Sequence, residues 1–117
     1  MARPTRNVLV VEDDFLLASL LEDTVKDLGY AVVGPYSGLA DGLKAARSSD
    51  IDFALLDFDL GEGSDSTPIA EALAARGLEF AFVTGTDPEV IRATFAQSIV
   101  LAKPVDEQLL GRVLAGA

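Results

Sequence analysis

The 117-residue chain is half hydrophobic and carries a formal charge of −10, which is apolar material enough for one domain with its own core. It contains no histidine and no cysteine, which excludes a disulfide framework, a thiol nucleophile, a thiolate metal site, an imidazole base and the usual zinc ligand. The acidic balance opposes nucleic acid and anionic membrane surfaces, no run has the length of a membrane span, and any metal must be a hard cation held by oxygen.

Met1 to Asn7 has no apolar stretch between its arginines and the first strand-like run, so it does not read as a signal peptide, and the cytoplasm is the expected location. From Asn7 onward, short apolar runs alternate with helical spacing, the βαβα pattern of a doubly wound sheet. Asn7 to Val11 predicts a first strand ending on Glu12 and Asp13. Phe15 to Leu28 predicts a helix with Leu16, Leu17, Leu20, Leu21, Val25 and Leu28 on one stripe, Asp13 or Asp14 as its cap and Gly29 as its stop. Ala31 to Val33 reads as a short strand ended by Gly34-Pro35, and Gly38 to Arg47 as a helix whose glycines lower its propensity. Phe53 to Leu56 is apolar throughout, as a central strand buried on both faces should be, and it ends on Asp57.

A polar loop spans Phe58 to Ser66, with Glu62 and Asp65 read as solvated. Next comes a helix from about Pro68 to Arg76, with Thr67 as cap and Pro68 at the first helical position. Phe80 to Val83 predicts the fourth strand, ending on Thr84. Asp87-Pro88 starts a short helix to about Phe95, Ile99 to Ala102 is the fifth strand, ending on Lys103, and Asp106 to Leu114 is the last helix. Without repeats, low-complexity tracts or linkers, residues 1–117 read as one domain.

If these strands are parallel, their carboxyl ends meet at one edge of the sheet, where open α/β proteins bind ligands at the point of reversed strand order. Three carboxylates, a hydroxyl and an amine converge there. Singly each has an ordinary reading: Asp13 and Asp14 as helix caps, Asp57 as the start of a loop, Thr84-Gly85 as a strand ending, Lys103 as a surface lysine. Jointly they suit a site that holds a divalent cation and stabilises a phosphoryl group.

Over nearly its whole length the chain resembles a response regulator receiver domain. The resemblance rests on Val8-Leu9-Val10-Val11-Glu12-Asp13-Asp14, Leu55-Leu56-Asp57, Val83-Thr84-Gly85 and Lys103-Pro104, in that order at the ends of the predicted strands. It implies a flavodoxin-like, doubly wound, five-stranded parallel sheet in order 2-1-3-4-5 flanked by five helices. It further implies Asp57 as phosphoacceptor and Mg2+ held directly by Asp13 and Asp57, by the backbone carbonyl of Asp59, and by Glu12 through water. Three carboxylates about 5 Å apart repel by roughly 3 kcal/mol per pair at an effective dielectric near 20, which invites such a cation.

By the same resemblance Thr84, Gly85 and Lys103 hold and read the phosphoryl group, while Asp59 and Thr86 tune its loss. The Asp59 carboxylate either approaches the metal or faces water. The implied donor is a histidine kinase or histidine phosphotransfer protein. A downstream protein target is undefined, a homodimer is open, and neither nucleic acid nor membrane is a partner. The chain is then a phosphoacceptor with slow self-dephosphorylation, not an enzyme.

Departures from the commoner pattern are specific. The segment Phe58-Asp59-Leu60-Gly61-Glu62-Gly63-Ser64-Asp65 lacks the usual proline and Asp-Gly turn, and Val100 stands where many receivers carry a switch aromatic. Phe80-Ala81-Phe82-Val83-Thr84-Gly85 and Ile99-Val100-Leu101-Ala102-Lys103-Pro104 resemble the "FAT GUY" subset of alphaproteobacterial stress and relay receivers, although Thr86 and Asp87 differ from that subset. Two other readings exist. Leu55-Leu56-Asp57-Phe58-Asp59 resembles the DxD motif of haloacid dehalogenase-type phosphatases, although Glu12 and Asp13 lie upstream of it where those enzymes place their other acids downstream. The remaining reading is a receiver-like module that binds proteins without being phosphorylated.

Overall fold

Every residue of Phe53–Asp57 is buried, and this run is the middle strand of a five-stranded parallel sheet. The computed structural model describes residues 6–85, 87–93, 95 and 98–116. In chain order the elements are β1 (Asn7–Val11), α1 (Phe15–Asp27), β2 (Ala31–Tyr36), α2 (Leu39–Ser48), β3 (Phe53–Asp57), β4 (Asp59–Gly61), β5 (Ser64–Asp65), α3 (Thr67–Ala75), β6 (Glu79–Thr84), α4 (Pro88–Arg92), β7 (Ile99–Ala102) and α5 (Glu107–Gly116). The sheet order is β2-β1-β3-β6-β7, with β4 and β5 forming a separate antiparallel hairpin. Setting that hairpin aside, this is the flavodoxin-like order 2-1-3-4-5 with five helices.

Alternation along the strands divides the core into two layers. Val8 and Val10 of β1, Phe53 and Leu55 of β3, and Ala81 and Val83 of β6 pack with Leu21 and Val25 of α1 and Leu110 and Leu114 of α5. Leu9, Val11, Ala54, Leu56 and Phe82 point the other way, onto Ala45 and Ala46 of α2, Ile69 and Leu73 of α3, and Ile91 of α4. No helix among the described residues is long and apolar enough to cross a membrane.

Several local expectations change. The stripe on α1 is narrower than predicted: Ala18, Leu21 and Val25 are buried, whereas Leu16 and Leu20 are 66% and 53% exposed. At about 100° per residue those two positions turn away from the sheet. β2 runs through Gly34-Pro35 to Tyr36, because its register against β1 slips between Leu9 and Val11 and the Tyr36 carbonyl then accepts from the Glu12 N–H at 2.9 Å. The glycines of α2 have separate uses. Gly38 is its N-cap, and a Cβ on Gly42 would lie 2.8 Å from Ile69 Cδ1, so Gly42 lets α2 close onto α3 and β1. α4 ends at Arg92 instead of near Phe95.

The segment read as a polar loop is the β4–β5 hairpin. Glu62 (φ 52°) and Gly63 (φ 76°) form its two-residue turn, and positive φ at both positions suits the right-handed twist of paired strands. Glu-Gly carries a weaker turn signal than Asn-Gly. Asp65 is half-buried in β5, not solvated, and its Oδ1 accepts from the Thr67 N–H at 2.9 Å. Ser66, without a side-chain capping bond, stands at the N-cap position of α3 in place of Thr67, Thr67 is the first helical residue, and Pro68 comes second.

Candidate functional site

Three pairings align the strand ends: Val11 opposite Leu56, Asp57 opposite Val83, and Thr84 opposite Ala102. The residues at or just past those ends, Glu12, Asp13, Asp57, Thr84 and Lys103, are thus brought to one edge of the sheet. Asp14 caps α1, its Oδ1 accepting from the Leu17 N–H at 3.1 Å, and this turn fixes where the chain leaves β1. Of the two candidate caps, Asp14 takes the role and Asp13 is left to face the cleft.

Lys103 organises the charges. Its Nζ lies 2.9 Å from Glu12 Oε1 and 3.3 Å from Asp57 Oδ1. The second Glu12 oxygen accepts from the Asp14 N–H at 3.1 Å. Glu12 is only 1% exposed and lies beneath the cleft. Asp57, at 4% exposed, lies on the floor, and Asp13 stands at the exposed rim. Carboxylate oxygens from Glu12, Asp13 and Asp57 lie within 4.8 Å of one another. One lysine against three acids leaves the cluster acidic.

Burial pushes the Asp57 carboxyl up to about 8, with Glu12 and Asp13 adding to the rise and Lys103 opposing it. Hydrogen bonding with Asp57 holds the Asp13 carboxyl below its ordinary range. The rise at Asp57 and the fall at Asp13 go together, because like charges this close cannot both ionise cheaply. Burial works against the Lys103 charge, but Glu12 and Asp57 outweigh it and raise its pKa.

These shifts give the fold a pH dependence when no cation is supplied. A carboxyl raised from 3.8 to about 8 stabilises the folded state fully at low pH, and that contribution is lost as pH rises through about 8. Asp57→Asn removes the loss. In chelator the variant should become progressively more stable than wild type between about pH 5 and pH 8, reaching roughly 1–3 kcal/mol after allowance for water in the open cleft. Thermal unfolding of both proteins across that range measures it, and parallel curves would contradict the assignment.

The cleft holds about 350 Å³ and is lined by Asp13, Asp57, Asp59, Thr84, Gly85 and Lys103. Among the predicted site residues, Glu12 lies below this wall, not in it, and Thr86 lies outside the described residues. Asp59 Oδ1 accepts from the Gly61 N–H at 2.9 Å, which turns part of that carboxylate back onto its own hairpin. Gly61 is a site residue that sequence reasoning missed. A Cβ there would meet Asp13 Oδ2 at 3.5 Å, and φ of +79° favours glycine. The signal was the spacing Gly61-Glu62-Gly63, legible only once the hairpin is known.

The chain matches no protein-family model, and no curated protein sequence matches it. Solved structures do match. The signal receiver domain of a modulated diguanylate cyclase from Desulfovibrio desulfuricans G20 is 31% identical, with 97% of this chain and 94% of that one covered at a TM-score of 0.85. SdrG from Sphingomonas melonis Fr1 is 38% identical, with 95% and 94% covered at 0.83. The receiver domain of the sensor histidine kinase PA1611 from Pseudomonas aeruginosa PAO1, solved with a magnesium ion coordinated in its active site cleft, is 22% identical, with 97% of each chain covered at 0.82.

Proposed function

We propose that this chain, which belongs to the response regulator receiver family of two-component signalling, accepts a phosphoryl group on Asp57 from a histidine kinase or histidine phosphotransfer protein and changes conformation in response. The observation that carries this reading is the position of Asp57 on the cleft floor, 3.3 Å from Lys103 and beside Asp13. In the transfer a carboxylate oxygen of Asp57 attacks phosphorus. The N–P bond of the phosphohistidine breaks with its electron pair returning to the imidazole, and an acyl phosphate forms.

The donor set fits a small hard cation, since three carboxylate oxygens lie within 4.8 Å of one another and one lysine balances only part of their charge. Asp13 and Asp57 would hold magnesium directly, with the Asp59 carbonyl and, through water, Glu12. When bound, magnesium supplies charge neutralisation at the phosphoryl oxygens. Its presence in the PA1611 receiver domain supports the assignment. Lys103 balances the phosphoryl charge from the opposite wall, Gly85 lines the approach, and the Thr84 hydroxyl donates to a phosphoryl oxygen, drawing its loop inward. On this reading the chain is a phosphoacceptor working in the cytoplasm, not an enzyme that turns over free phosphate esters.

Intact mass after incubation with acetyl phosphate tests the function. One phosphoryl group should appear with magnesium and none in chelator. No gain under either condition sinks the reading, while repeated release of phosphate from a generic ester would point to the phosphatase alternative.

Asp59 bears on how long the group survives. It is exposed in the cleft wall with one oxygen engaged by Gly61, and the other can orient a water that attacks phosphorus, an effect exerted in the transition state. Asp59→Met should lengthen the phosphorylated lifetime up to about 10-fold, with stability nearly unchanged. Loss of label after donor removal checks this, and an unchanged or faster rate removes Asp59 from the role.

A further inference from the structure

Four phenylalanines form one connected set of rings leading away from the cleft. Phe58 meets Phe82 at a centroid distance of 5.5 Å, Phe82 meets Phe80 at 5.5 Å and Phe95 at 5.2 Å, and Phe80 meets Phe95 at 6.5 Å. Three of these pairs are edge-to-face, and Phe82–Phe95 is tilted at 58°. The set begins next to Asp57. Phe58 is the adjoining residue, and its N–H donates to the Val83 carbonyl at 3.3 Å, one residue before Thr84.

Phe80, Phe82 and Thr84 alternate onto the same face of β6. The far end is Phe95, whose N–H donates to the Ile91 carbonyl at 2.9 Å and whose carbonyl accepts from the Ser98 N–H at 3.1 Å, tying it to both α4 and the approach to β7. Phe82 is wholly buried, while Phe58, Phe80 and Phe95 are half-buried around it. Opposite Phe82 in the next strand stands Val100, which brings no ring.

Resting on the phosphoacceptor reading above, we infer that displacement at Asp57 and Thr84 reaches α4 and β7 through the Phe58–Phe82–Phe95 rings, with Phe95 as the output position. Interlocked rings at interior packing density cannot slide singly, so movement of Phe58 or of the end of β6 shifts Phe82 and with it Phe95. Val100 has no part in this route beyond ordinary packing.

The test compares backbone NMR shifts on phosphorylation in wild type, Phe95→Leu, Phe58→Leu and Val100→Ala, with intact mass confirming equal phosphorylated fractions. Cleft resonances of Gly85 and Lys103 and distant resonances of Val90 and Ile99 are monitored. Wild type and Val100→Ala should shift in both regions. Phe95→Leu should keep the mass gain and the cleft shifts but lose at least half of the shift at Val90 and Ile99, and Phe58→Leu should do the same by cutting the route at its start. If Phe95→Leu does not fold, Phe58→Leu decides alone. Distant shifts equal to wild type in the folded phenylalanine variants, or lost equally in Val100→Ala, overturn the relay and leave phosphorylation intact as a conclusion. Absence of any mass gain in wild type overturns both.

Discussion

Asp57→Asn should abolish phosphoryl incorporation from acetyl phosphate and magnesium, with no gain in intact mass under conditions that modify wild type fully. The amide is nearly isosteric with the carboxyl, but its nitrogen is no nucleophile and its oxygen carries no charge to form an acyl phosphate. Neighbouring acids do not substitute for it. Both Glu12 oxygens are engaged, by Lys103 at 2.9 Å and by the Asp14 N–H at 3.1 Å, and the acid is buried below the cleft. Asp13 is at the exposed rim, where a donor aligned with the Asp57 oxygen is not aligned with it. Incorporation equal to wild type in Asp57→Asn would mean that another residue is the acceptor, and peptide mapping of the labelled protein would locate it.

Asp13→Asn should weaken magnesium binding by about 10–100-fold, the scale on which even outer-shell partners of a metal act. Asp13 has a carboxylate held in its ionised form by its neighbours and open to the cleft, so it can meet a cation without breaking an existing ion pair. Glu12→Gln should weaken binding less, because the charge it removes is already balanced by Lys103 at 2.9 Å. That variant instead leaves Lys103 to Asp57 alone, drawing the lysine toward the floor of the cleft. Titration calorimetry on the three proteins ranks them. Equal affinity in wild type and Asp13→Asn would remove Asp13 from the coordination sphere, and a larger loss in Glu12→Gln would reverse the proposed order.

Local chemistry made most of the elements legible. Val8 to Val11 and Phe53 to Leu56 are apolar at consecutive positions because both faces of their strands are covered, and both strands are found as predicted. Each also ends on its acidic residues at the sheet edge, where Lys103 reaches both Glu12 and Asp57 and offsets the cost of burying them. The sequence by itself determined the doubly wound class, the strand ends at which Glu12, Asp13, Asp57, Thr84 and Lys103 stand, and the hard-oxygen character of any metal site.

Only the tertiary structure decided what depends on residues distant in the chain. Leu16 and Leu20 belong to an apolar pattern, yet the sheet meets α1 along Ala18, Leu21 and Val25, leaving those leucines exposed. The segment after Asp57 pairs with itself as a hairpin because Glu62 adopts positive φ, a conformation uncommon for a glutamate and therefore weakly signalled. Gly61 beside Asp13, Lys103 shared between Glu12 and Asp57, and the rings joining Phe58 to Phe95 are all contacts between separate elements. Propensity and periodicity report the conformation of a residue and its near neighbours, whereas charge pairing and ring contact are set by which strand ends the sheet order brings within a few ångströms of one another.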